Sequence, residues 1–225
     1  MVVPIKYHDI YLPVKCFLNS YRALSDGISG ISSLKTYLNE NASLVYEWKF
    51  RWVGICAILR TSVELFRADS RLCINNSIRD EIGQEWHKIK EQKDLHPIFW
   101  EFLRKERDNI VHEYKWNAYE LWLDPKGNRS TPSIHSLLMT PENKKTIIEM
   151  KHGMYKGRDS IELLEEAAYW IKSRIYSAVE RAGFNPDEER SYSNFQPRPP
   201  SAAFSLLTEG MAEHTHKKTP PEGEV

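Results

Sequence analysis

Apolar residues recur at helical spacing along much of the chain. Between 42 and 70, Val45, Trp48, Trp52, Ile55, Leu59, Val63 and Phe66 follow one another in steps of three or four. That repeat lines up one face of an α-helix. Glu47, Lys49, Arg51, Arg60, Glu64 and Arg67 fill other positions. Residues 77–92 repeat the logic with Ile78, Ile82, Trp86 and Ile89, and Asn75, Asn76 and Ser77 are capping candidates. Closer to the N-terminus, Ile10, Leu12, Val14, Phe17, Leu18, Tyr21 and Leu24 predict a helix over 8–26, with Pro13 in its first turn and Gly27 at its end. The following ISGISSLK reads as a linker or a short helix.

Pro97 fits the first turn of a further helix with apolar content from Phe99, Phe102, Leu103, Ile110 and Val111. The period then changes. Tyr119–Leu123 followed by Asp124-Pro125-Lys126-Gly127-Asn128 predicts a strand and a turn, and 145–150 predicts a second short strand. Asp159 opens the last helix, with Glu162 at capping-box spacing, and Leu164, Ala168, Ile171, Ile175 and Ala178 form its stripe. Gly183 and Pro186 end it.

These elements predict an all-α fold: an antiparallel four- to five-helix bundle with a small β-hairpin or irregular insertion, about 116–158, before the last helix. The helical domain is expected over 1–184. Six of the twelve prolines lie beyond it, so 185–225 is expected to be a flexible Pro-rich tail.

Composition narrows the function classes. Lys+Arg and Asp+Glu balance at 31 each, which counts against a wide, non-specific nucleic-acid groove. Charge is uneven locally, however. Lys126, Arg129, Lys144, Lys145, Lys151, Lys156 and Arg158 face only Glu142 and Glu149 in the insertion, a basic segment that can contact RNA backbone. Cys16, Cys56 and Cys73 are odd in number and widely spaced, so neither a disulfide framework nor a zinc ribbon is indicated. His87, His96, His135, His152, His214 and His216 lack metal-ligand spacing, and neither a metal nor another cofactor is expected. No secretory signal and no membrane span are read, and a cytoplasmic location is expected. P-loop, GxGxxG, HExxH and GxSxG patterns are absent.

One segment carries chemistry. Arg107 and Asp108 precede His112, and Tyr114 follows two residues later. An arginine fork grips phosphate and keeps its charge. A histidine exchanges protons near neutral pH. Together they suffice for RNA cleavage without metal, the 2′-hydroxyl serving as nucleophile, histidine assisting proton transfer and arginine stabilising charge on the phosphoryl oxygens. In an unbroken helix Asp108 and His112 share a face, so Asp108 is expected to orient the imidazole, and Arg107 shares a face with Tyr114. Arg107 and His112 point roughly 140° apart. Local distortion, or a second copy in a homodimer with a composite cleft, is therefore expected.

Arg-Asp-x-x-x-His resembles the R-x(4–6)-H signature of HEPN domains, including the polar residue that commonly follows their arginine. With Tyr114 it is similar to the R-x4-H-x-Y version of HEPN toxins. The resemblance extends to the helical context from about 8 to 183. It implies a metal-independent ribonuclease of toxin–antitoxin or antiviral defence systems. Arg107 and His112 would be catalytic and Asp108 supporting. Tyr114 would match the tyrosine that some partner nucleotidyltransferases modify to silence a toxin. An antitoxin or such a nucleotidyltransferase is then an expected partner, beside RNA. The insertion departs from a minimal HEPN bundle. Two other readings stay open: a non-catalytic HEPN-like module that binds a partner protein or a nucleotide, and an unrelated helical protein whose Pro-rich tail recruits a partner.

Overall fold

The computed structural model describes residues 6–7, 10–40, 47–73, 75–131, 145–192 and 196–197. Lys144, His135, His214 and His216 lie outside them, as does most of the Pro-rich segment. The chain divides into two units, one of Pro13–Glu188 and one in which Met1–Leu12 joins Glu189–Val225. In the smaller unit, Lys6–Tyr7 pairs antiparallel with Gln196–Pro197, and Ile10–Tyr11 with Ser191–Tyr192. Ile10 thus belongs to a strand pair, and the helix expected from residue 8 does not start there.

The larger unit begins with a 3₁₀ turn, Val14–Phe17. Its Lys15 is buried, and Nζ donates to the Pro186 carbonyl at 2.8 Å and to the Tyr176 hydroxyl at 3.2 Å. Helix α1 spans Asn19–Glu40 and α2 spans Glu47–Leu72. They run in opposite directions, with Ser20 against Asp69 at one end and Ser33 against Arg51 further along. The buried Asp69 carboxylate accepts from the Ser20 N–H at 3.0 Å and the Ser20 hydroxyl at 2.7 Å. The first turn of α1 is therefore capped from another helix.

Gly27 and Gly30 lie inside α1, where the sequence predicts a helix end and a linker. A Cβ at Gly27 would stand 2.6 Å from Leu59 Cδ2, and one at Gly30 would stand 2.9 Å from Ile55 Cγ1. The missing side chains let α1 close onto the apolar face of α2. That packing outweighs the roughly 1 kcal/mol by which glycine disfavours a helix interior.

Helix α3 spans Asn76–Glu91, and the Asn75 side chain accepts from the Ile78 N–H at 3.1 Å. After Pro97, residues Ile98–Leu103 wind as a π-helical stretch before α4, Arg104–Glu113. The wider turn accompanies burial of Ile98, Phe99, Phe102 and Leu103 together. Strands β1 (Ala118–Leu123), β2 (Arg129–Ser130) and β3 (Lys145–Met150) form an antiparallel sheet with β1 in the middle. Ala118 stands opposite Met150, and Leu123 opposite Lys145. Asp124 holds the β1–β2 turn by accepting from the Lys126 and Asn128 N–H groups, each at 2.8 Å. The Glu120 carboxylate on β1 accepts from the indoles of Trp48 and Trp122, tying the sheet to α2.

Helix α5, Ser160–Arg181, is capped by Asp159, whose carboxylate accepts from the Ile161 N–H at 2.7 Å. Gly183 follows it at φ +86°. The buried Glu85 of α3 accepts from Arg174 at 2.9 Å and from Arg181 at 2.8 Å, tying α3 to α5. Among the described residues the chain is thus mainly helical, and the segment expected as a hairpin or irregular insertion holds a small three-stranded antiparallel sheet. Among the described residues, no helix is long and apolar enough to cross a membrane.

Candidate functional site

Helix α4 buries one side and exposes the other. Ile110 and Glu106 point inward, while Arg104, Lys105 and His112 are exposed and Arg107, Asp108 and Asn109 lie half-buried. Arg107 Nη1 stands 3.4 Å from His112 Nε2. The length of the arginine side chain spans the angular gap between the two positions. The pair therefore meets within one chain on a regular helical turn. The distortion lies one turn earlier, in the π-helical stretch, and the geometric reason for borrowing a second copy falls away. When Nε2 carries the lone pair, the arginine N–H donates to it.

Asp108 does not take the role expected of it. Its Oδ1 accepts from Arg60 at 3.0 Å and from Arg107 at 3.1 Å, and its Oδ2 lies 3.8 Å from Arg104 Nε. The carboxylate thus gathers three guanidinium groups and orients Arg107, and Arg107 touches the imidazole. Arg60 was not singled out by the sequence. Its signal is the spacing Arg60, Glu64, Arg67 and Arg71, a charged stripe along one face of α2.

Tyr114 lies past the end of the helix. Its backbone is left-handed, at φ 51° and ψ 33°. The Tyr114 N–H bonds the Ile110 carbonyl at 3.2 Å, and the Lys115 N–H bonds the Asn109 carbonyl at 3.1 Å. This is the geometry in which glycine usually ends a helix. The change of backbone breaks the helical row, so the face shared by Arg107 and Tyr114 does not exist. The ring is 78% exposed and meets Trp116 edge-on at 5.9 Å. Beside it, the hydrogen bond from Lys115 holds the Glu113 carboxyl below its usual range.

Beneath the helix, Glu106 is buried. Its Oε1 accepts from Asn117 Nδ2 at 2.9 Å, while Oε2 has no hydrogen-bond partner among the described residues. Burial pushes this carboxyl up, against the lowering effect of the Asn117 hydrogen bond. Burial also pushes the Cys56 thiol well above its usual value, and nearby Glu106 adds to that rise. Cys56 is an inert core residue.

The basic residues of the insertion disperse. Arg129 pairs with Glu149, and Arg158 pairs with Glu166 at 3.0 Å. Lys145 borders a cleft formed with α1 and α5. Lys126 occupies the β1–β2 turn, and Lys151 and Lys156 lie in the loop after β3. That loop reaches the motif helix through Met154, which lines a cleft of about 650 Å³ together with Trp100, Arg104, Asp108 and Asn109. His87 pairs with Glu91 on the surface of α3 at 2.9 Å. His96 is buried against Trp170, whose indole N–H lies 3.3 Å from Nδ1. Among the described residues, no three His, Cys, Asp or Glu side chains are placed to share a metal ion. No protein-family model matches the chain, and no curated protein or solved structure matches it either.

Proposed function

We propose that this protein is a metal-independent endoribonuclease of the HEPN type, acting in toxin–antitoxin or antiviral defence. The observation that carries the reading is the 3.4 Å approach of Arg107 Nη1 to His112 Nε2 on an open helix face. It sets a fixed positive charge beside an imidazole, a side chain suited to general acid–base work. A phosphodiester at this pair would have its non-bridging oxygens toward Arg107. With the Arg107 donor turned to the phosphate, His112 Nε2 would be free to take the proton of the 2′-hydroxyl as that oxygen attacks phosphorus. The bond to the 5′-oxygen breaks, and solvent water protonates that oxygen as it leaves, while His112 later returns its proton to solvent. The products are a 2′,3′-cyclic phosphate and a 5′-hydroxyl end, with Arg107 stabilising the charge that builds between them.

Asp108 keeps Arg107 in position while Arg60 and Arg104 share its charge. Tyr114, exposed at the helix end, is accessible to a nucleotidyltransferase that would silence the enzyme. An antitoxin or a second copy in a homodimer would meet the same face. Met154 and the lysines of its loop would extend that face toward RNA.

The test is cleavage of tRNA and mRNA by the purified protein. Arg107→Ala and His112→Ala should each lower the rate by about 10²–10⁴ while leaving the thermal unfolding curve in place. EDTA should not slow the reaction, and the products should carry 2′,3′-cyclic phosphates. Full activity in both single variants would remove this chemistry. Binding of RNA without cleavage would leave a non-catalytic module.

A further inference from the structure

A second cleft opens on the other side of Trp100, between α2, α3 and the π-helical stretch. It encloses about 380 Å³. Four cations line it, Arg67 and Arg71 of α2, Lys90 of α3 and Arg104 of α4, against the single carboxylate of Glu64. In a chain whose charges balance at 31 of each sign, this is a concentrated positive site. Arg71 and Lys90 are both exposed. Among the described residues neither makes an ion pair, whereas Arg67 lies 3.8 Å from Glu64.

The walls are aromatic. Trp86 and Trp100 are half-buried and line the cleft with Phe99 between them, at 6.2 Å and 4.8 Å between ring centroids. Trp100 is fixed by its indole N–H, which donates to the Ile89 carbonyl at 3.2 Å. The Arg104 guanidinium lies over the Trp100 ring at 5.1 Å. A guanidinium laid on an indole offers a base both a stacking surface and a charge.

The cleft is linked to the Arg107–His112 pair through side chains of α4. Arg104 lines it and also approaches Asp108, which holds Arg107. Along α2, Arg60 touches Asp108 and Arg71 lines the cleft. These two are eleven residues apart, about 16 Å along the helix axis. A stacked strand advances about 3.4 Å per nucleotide, so the stripe accommodates several nucleotides.

We propose that this cleft is a binding subsite for single-stranded RNA. It would hold a nucleotide a few positions from the cleaved bond, with the base laid against Trp86 and the Trp100–Arg104 platform. The flanking phosphates meet Arg67, Arg71 and Lys90. The proposal rests on the ribonuclease reading for its choice of RNA and deepens it by naming where the substrate strand is held. Sequence preference is expected to be weak, because stacking and phosphate contacts read no base edges.

The experiment measures binding apart from chemistry. A fluorescent 2′-O-methyl oligoribonucleotide has no free 2′-hydroxyl and cannot be cleaved by the proposed route. Its Kd is measured by anisotropy for the wild type, for the double variant Arg71→Ala/Lys90→Ala, and for Trp86→Leu. Both altered residues of the double variant are exposed, and an unchanged melting curve establishes that it folds. The double variant should bind at least tenfold more weakly. The slope of log K against log salt should also shrink by about 1.4, because two phosphates of a single strand are no longer neutralised. Trp86→Leu should weaken binding by about fivefold or more with the slope unchanged, as loss of a stacking partner does. Wild-type affinity in the folded double variant, or no binding by the wild type, would overturn the proposal. Binding through Arg71 and Lys90 by a protein that cleaves no RNA would sustain the subsite and remove the nuclease. Cleavage with unchanged binding in the double variant would do the reverse.

Discussion

Arg60 of α2 donates to Asp108 of α4 at 3.0 Å, and the same carboxylate oxygen accepts from Arg107. One acidic oxygen therefore fixes the motif arginine to a helix that begins sixty residues earlier in the chain. Removing it would leave Arg60, Arg104 and Arg107 close together with no shared counterion. Asp108→Ala is expected to destabilise the protein by about 1–3 kcal/mol, the usual cost of leaving hydrogen-bond donors without their partner. Cleavage should fall more than tenfold, because Arg107 loses its anchor. Asp108→Asn, which keeps an acceptor without the charge, should lie between. Denaturant unfolding and initial rates measure the two effects separately, and wild-type rates in Asp108→Ala would show that the carboxylate does not position Arg107.

Tyr114 adopts a backbone that costs an L-residue roughly 1–2 kcal/mol and that glycine adopts freely. Tyr114→Gly should raise the stability of the protein by about 1 kcal/mol, reduced by the loss of the edge-on contact with Trp116. Tyr114→Phe keeps both the strain and the ring, so its melting temperature should match the wild type. A lower melting temperature in the glycine variant would mean that the Trp116 contact outweighs the strain.

The glycines of α1 and α2 should answer alanine in opposite directions. A Cβ at Gly54 meets nothing within 4 Å, while one at Gly27 collides with the buried Leu59. Gly54→Ala should stabilise by about 0.5–1 kcal/mol through helix propensity. Gly27→Ala gains the same propensity but should be destabilising on balance, since overpacking a core typically costs about 1–3 kcal/mol. Urea midpoints for the two variants decide it.

His96 should make stability depend on pH. Burial, aided by the positive charge of Arg174, holds its pKa below the usual histidine value of 6.5. The Trp170 indole N–H also needs an unprotonated Nδ1 to receive it. The unfolded chain therefore binds a proton at a pH where the folded one does not. Stability is complete above about 6.5 and falls as pH drops from there through the folded pKa. His96→Phe keeps a ring against Trp170 and removes the titration. Melting curves from pH 8 to 5 should flatten in this variant relative to the wild type, and equal slopes would show that His96 contributes nothing to the pH response.

The helices were legible where one stripe decides burial. Trp52, Leu59 and Phe66 of α2 are buried as their spacing predicts, and Asn75 and Asp159 cap the helices they precede. Gly27 misleads because a local rule treats glycine as a break, whereas its partner Leu59 lies on another helix and cannot be seen locally. The motif residues were legible as types but not as a geometry. Arg60 meets Asp108 across 48 positions, a separation that no periodicity reports. The basic insertion shows the limit of counting charge along a segment. Arg129 and Arg158 are matched by Glu149 and Glu166, and Glu166 belongs to a different element. The Arg67–Arg71–Lys90–Arg104 cleft, drawn from three helices, is a concentration of charge that the sequence spreads over nearly forty residues.

Lys15 ties residues 13–17 to the segment after α5 through the Pro186 carbonyl. The larger unit consequently starts and stops at one place, the arrangement that makes a domain suited to circular permutation. A chain whose Pro13 and Glu188 ends are joined by a short glycine–serine linker, and reopened at the exposed tip, 125–128, of the β1–β2 turn, should fold to the same structure. Its new ends would lie on the sheet, clear of the Arg107–His112 pair in sequence. Lys15→Met should leave that permuted chain less impaired than the original, because the linker then does the joining that the lysine does now.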